Sequence, residues 1–153
     1  MLHTFIPSNI PINEQDIINF EELIGTDLPQ EYRQFILQYN GGEFENSIYK
    51  GIDEYLVDPD FYPLVNAIPG EYNLIFEVKN WLLNDHRVDD IISTKHYLKI
   101  GQDFLGNVIY ISINENSYGL VYLYIFEGVF EPINLISHSF SDIINNMQEQ
   151  GEG

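Results

Sequence analysis

The chain has 153 residues, about one domain's length, and at 44% hydrophobic and 14% aromatic it carries enough apolar surface for a packed core and too much for a disordered segment. Its 24 Asp and Glu against 6 Lys and Arg give a formal net charge of −18, which repels phosphate backbones and anionic headgroups and so disfavours direct nucleic-acid or membrane binding. The absence of Cys excludes disulfides and thiolate metal sites and suits a reducing cytoplasm.

The opening MLHTFIPSNIPI lacks a basic n-region and is interrupted by Pro7 and Pro11, so it does not read as a signal peptide. The longest apolar runs, such as LVYLYIF at 120–126, are too short to span a bilayer, and a cytoplasmic location is expected. Asn13 with Asp16 predicts a capping box, Ile12 a staple against Ile17, and Ile17, Phe20, Leu23 and Ile24 one face of a first helix closed by Gly25. Pro29 suits the first position of a second helix, whose stripe is Tyr32, Phe35, Ile36 and Tyr39. Asn40, Gly41 and Gly42 then stop the helix. Because these glycines follow a helix C-terminus rather than precede an N-terminus, anion binding at this turn is disfavoured.

Residues 43–72 are acidic, aromatic and punctuated by Pro59, Pro63, Pro69 and Gly70, which predicts short strands and loops. Leu74, Ile75, Val78, Trp81 and Leu82 share one face of a third helix. From Tyr97 the period changes to that of strands: YLKIG, NVIYISIN and, after the polar ENS turn, YGLVYLYIFE, with an edge strand at Pro132–Ile136. Ser139 with Asp142 predicts a second capping box, and Phe140, Ile143, Ile144 and Met147 the stripe of the last helix, followed by a fraying QEQGEG tail. Helices and strands come in segregated runs without repeat or linker. The prediction is a single α+β domain over residues 1–153, a mainly antiparallel sheet with packed helices.

Chemistry is sparse. In DHRVDD at 85–90, Asp85, His86, Asp89 and Asp90 offer metal-ligand atoms, but His86 and Asp90 share a face only on a helix, and a solvated loop is the preferred reading. His138 between Ser137 and Ser139 is poorly placed to activate an adjacent hydroxyl, since neighbouring residues rarely reach that geometry, and helix capping accounts for the serines. His3 and His96 are isolated. No carboxylate pair stands out for glycoside chemistry. Trp81 and the strand tyrosines Tyr110, Tyr118, Tyr122 and Tyr124 read as packing rather than as a stacking platform for bases. No catalytic residue, cofactor or metal is assigned, and no enzymatic activity is expected.

The acidity is uneven. Glu43 to Asp60 holds six acids against Lys50, and seven acids but no basic residue follow Lys99. An AT-rich coding source, suggested by the many Ile and Asn, would enrich Lys, yet Lys is scarce. Glu43, Glu45, Tyr49, Asp53, Glu54, Tyr55, Asp58 and Asp60 are therefore the candidate partner-binding residues: carboxylates steer a basic partner and tyrosines supply contact area.

Four stretches together resemble the SUKH superfamily, relatives of the fungal Smi/Knr cell-wall assembly regulator. LPQEYRQFILQYNGG is similar to its helix ending in Asn-Gly-Gly and INEQDIINFEELIG to its first helix. KIGQDFLGNVIYISIN is similar to its Gly-to-strand segment and SFSDII to its closing helix. The resemblance spans residues 12–147, is weak over 43–96, and departs at Ile136 and His138, where small and acidic residues are usual. It implies a non-catalytic α+β binding domain, most often a bacterial immunity protein that neutralises a polymorphic or contact-dependent toxin. A basic, nucleic-acid-gripping toxin would match the charge. The alternatives are a Smi/Knr-type regulatory interaction module and, third, a carboxylate- or metal-dependent enzyme.

Overall fold

The computed structural model describes residues 5–8, 10–52, 54–65, 73–75, 78, 97–125 and 133–149. The elements, in chain order, are β1 (Phe5–Pro7), α1 (Glu14–Ile24), α2 (Gln30–Tyr39), β2 (Gly42–Phe44), β3 (Ser47–Lys50), β4 (Leu56–Val57), β5 (Asp60–Phe61), β6 (Tyr97–Gln102), β7 (Val108–Ser112), β8 (Val121–Tyr124), β9 (Ile133–Ser137), α3 (Phe140–Asn145) and β10 (Gln148–Glu149). Seven strands form one antiparallel sheet in the order β1-β2-β5-β6-β7-β8-β9, and β10-β3-β4 form a small second one. This is the predicted α+β architecture.

Strand alternation sends Phe44, Phe61, Leu98, Ile109, Ile111, Val121 and Leu123 to the helix side of the sheet, where Ile17, Phe20, Tyr32, Phe35, Ile36, Phe140 and Ile143 meet them. Phe35 sits at the centre, with ring centroids 4.9 Å from Phe140 and 5.5 Å from both Phe5 and Phe61. The opposite face is a row read across neighbouring strands: Ile6, Glu43, Asp60, Gln102, Val108, Tyr124 and Ile133 stand side by side in register. There Val108 and Tyr110 form a second, smaller cluster with Tyr97, Tyr124 and Ile133.

The first helix forms as its sequence predicts. Asn13 accepts from the Asp16 N–H at 2.9 Å, the Asp16 carboxylate accepts from the Asn13 N–H at 2.8 Å, and Gly25 closes the end. In the second, Pro29 stands one residue earlier than expected, as the N-cap, because its extended ψ of 132° belongs outside the helix. The Asn-Gly-Gly stop is a junction. Asn40, left-handed at φ 53°, donates its amide to the Ile10 and Val65 carbonyls, each at 3.0 Å, and accepts from the Leu64 N–H at 2.6 Å. Gly41 and Gly42 follow at φ 85° and 140°, and a Cβ on Gly41 would lie 2.7 Å from the Tyr62 carbonyl carbon. Only Gly fits this approach.

Four expectations change. Ser139 caps α3 through the Asp142 N–H at 3.1 Å, but its own N–H goes to Ser137 Oγ, so only half of the second capping box forms. Met147 falls beyond the helix, which ends at Asn145. Gln148 and Glu149 do not fray: they pair with Ile48 and Ser47, because β3 offers a sheet edge there. Tyr118 lies in the turn before β8, not in a strand, and donates to the Asp27 carbonyl. The predicted third helix is helical at Leu74, Ile75 and Val78, while Trp81, Leu82 and the DHRVDD segment fall outside the described residues, as do His3 and His96. No helix among the described residues is long and apolar enough to cross a membrane.

Candidate protein-interaction surface

Three of the predicted binding residues converge at the β2–β5–β6 end of the sheet, on the face away from the helices. Glu43 of β2 stands directly opposite Asp60 of β5, and antiparallel partners on one face bring side chains to contact range. Asp58, half-buried, precedes β5 across Pro59. Both aspartates feel Glu43. Asp60 is pushed up to about 6, first by lost hydration and then by the negative fields of Glu43 and Asp58. Asp58 is raised by lost hydration, by Glu43 and by a fourth acid, Asp103.

The described cations have contacts of their own. Arg33 grips Glu21 with three contacts of 3.1 to 3.2 Å and also meets Glu14. Lys50 pairs with Glu54 at 3.6 Å, and Lys99 lies 5.7 Å over the Tyr62 ring. Among the described residues no ion pair involves Glu43, Asp58 or Asp60. Nor does any group of three or more His, Asp or Glu among them have the arrangement to hold a metal ion.

The other predicted residues separate from this group. Glu45 is exposed in the turn after β2, and Glu54 is exposed in the β3–β4 connection with Tyr55 half-buried beside it. Asp53 lies outside the described residues. Tyr49 does not stand at the surface as a contact residue should: it is 3% exposed, and its hydroxyl donates to Asp142 at 2.7 Å, tying β3 to α3. Its burial follows from strand alternation, since Tyr49 shares the inward face with Ser47.

Asp103 is not among the residues that the sequence pattern singles out. It is 5% exposed in the β6–β7 hairpin, where Oδ1 accepts from the Leu105 and Asn107 N–H groups at 2.9 and 2.8 Å and Oδ2 accepts from the Asn107 amide at 3.1 Å. The stretch GQDFLGN holds the signal, an Asp two and four residues ahead of the N–H groups it accepts from.

The matching segments thus sit where a shared fold needs them: the Asn-Gly-Gly helix in the core, and the SFSDII helix against it through Tyr32 and Phe140 at 5.1 Å. A family model agrees, covering residues 11–146 with the SMI1 / KNR4 family (SUKH-1). The chain belongs to the SMI1 / KNR4 family. No curated protein matches it significantly. Within this SUKH-1 domain the acidic group of Glu43, Asp58 and Asp60 lies on the sheet face, clear of the helix-packed core that the matched segments build.

Proposed function

We propose that this SUKH-1 protein is an immunity protein that binds and neutralises a cognate bacterial toxin with a basic surface, acting by occupancy and not by catalysis. The observation that carries the reading is the group of Glu43, Asp58 and Asp60, held together against mutual repulsion with no ion pair to any of the three among the described residues. Like charges in register destabilise a sheet, and among the described residues no ion pair offsets that cost. A partner's Lys and Arg would remove the repulsion and gain charge-assisted hydrogen bonds. Family membership and the net charge of −18 support the same reading, because a protein that grips nucleic acid needs the basic cleft this surface complements.

The test is affinity capture with the full chain from its native source, mass spectrometry of what is bound, and expression of the captured protein with and without this chain. Recovery of a small basic protein that arrests growth alone and is silenced by co-expression is expected. A captured partner without toxicity would favour the Smi/Knr-type regulatory module instead, and turnover of a substrate by the purified chain would overturn both readings.

A further inference from the structure

The β6–β7 hairpin carries two large apolar side chains with nothing to pack on. Phe104 is 83% exposed and Leu105 71%, more than any other large hydrophobic residue described. Single exposed apolar residues are ordinary, but two in succession at the tip of a turn form a protrusion. They do not stabilise the fold, since they would be as hydrated in the unfolded chain.

The turn that presents them is fixed from within. Besides the three bonds to the Asp103 carboxylate, the Asp103 N–H donates to the Asn107 carbonyl at 2.9 Å and the Gly106 N–H to the Asp103 carbonyl at 3.0 Å. A turn already ordered loses little freedom when its tip is buried by a partner. The tip is also adjacent to the acidic group: Gln102, two residues before Phe104, pairs with Asp60, and Asp103 acts electrostatically on Asp58. Apolar anchors ringed by charge are the usual anatomy of a recognition site.

We infer that Phe104 and Leu105 are the anchor of the partner surface, seating in an apolar pocket of a basic protein whose Lys and Arg rim meets Glu43, Asp58 and Asp60. This deepens the proposed function and rests on its reading of a basic partner. Charge selects the occupant. A second copy would set −18 against −18, and an anionic bilayer would repel the same carboxylates.

The probe is the basic protein captured by the wild-type chain, titrated against the full-length double variant Phe104→Ser/Leu105→Ser, with Ile18→Ser on the far helix as control. The double variant is expected to melt with the wild type, to bind at least about thirtyfold more weakly, and to lose affinity through faster dissociation. A Glu43→Gln/Asp60→Asn variant should instead slow association and flatten its salt dependence. Equal affinity of the double variant and wild type would overturn the anchor and leave the immunity reading standing. Capture of no basic protein by the wild type would overturn both. Loss of a wild-type dimer, or of binding to zwitterionic vesicles, in the double variant would give the tip to a second copy or a membrane and overturn the assignment.

Discussion

Glu21 and Asp60 are carboxylates in one domain with opposite surroundings. Glu21, 9% exposed between α1 and α2, accepts from the Leu28 N–H at 2.7 Å and faces the Arg33 guanidinium edge-on. Asp60 faces Glu43 and Asp58. Around Glu21 the helix side uses acid, base and backbone to complete one another, and its apolar residues are buried against each other. The β2–β5–β6 end leaves acids together and lifts Phe104 and Leu105 into water. Where a protein satisfies its polar groups it is building structure, and where it leaves them in tension beside an exposed apolar tip it is equipped for something outside itself.

The comparison breaks most visibly at Phe35. Truncation to Ala removes the ring that joins Phe5, Phe61 and Phe140, and is expected to cost about 3 to 5 kcal/mol by denaturant unfolding. A near-native midpoint would show that the helix face is not the core it is taken to be. Asn40→Ala comes next. It strands the Ile10 and Val65 carbonyls and the Leu64 N–H in a region where Asn40 itself is 1% exposed, for about 3 kcal/mol. Arg33→Ala leaves Glu21 with only the Leu28 N–H and should cost about 2 kcal/mol, below the figure for a fully buried pair because the Arg33 side chain is 20% exposed. In a Glu21→Gln background that loss should shrink. A loss unchanged in that background would make Arg33 a packing residue only.

How much of this was readable in the sequence follows from the range of the interactions. Asn13–Asp16 and the stripe of Tyr32, Phe35 and Ile36 are set by residues three and four apart, so cap and core face could be read directly. The burial of Tyr49 was not legible because alternation along β3 does not say which face turns inward, and Asp142, which its hydroxyl meets there, is 93 residues away. The pairing of residues 148 and 149 was not legible because the partner that orders them, β3, is still more distant in sequence. Asp60 was visible as an acid but not as the neighbour of Glu43, since register across separate strands is a tertiary fact. The exposed pair in DFLG lies between the predicted strands YLKIG and NVIYISIN, yet its role was not legible. Nothing local marks which apolar residues a hairpin turns outward.

The smallest effect falls at Asp60, where the sign reverses. Asp60 ionises in the unfolded chain near the ordinary carboxylate value of about 3.9, but in the folded protein only near about 6. Between those values the native state binds more protons than the unfolded one, so stability falls as pH rises through this window. The penalty is absent below about 4 and complete above about 6. Asp60→Asn should therefore raise stability by about 1 kcal/mol at neutral pH, a figure kept low because the side chain is exposed and solvent screens it, and should change nothing at pH 4. On the helix side, removing a charged partner at Arg33 weakens the fold. At Asp60, removing a charge strengthens it. The same substitution should weaken binding of a captured basic protein, and wild-type affinity should rise from pH 5 to pH 7.5 as the partner's cations drive the last proton off Asp60. Unfolding curves at pH 4 and 7.5, set beside titrations at pH 5 and 7.5, read both signs. A variant that is less stable at neutral pH would place Asp60 among the supports of the sheet instead of among its strains.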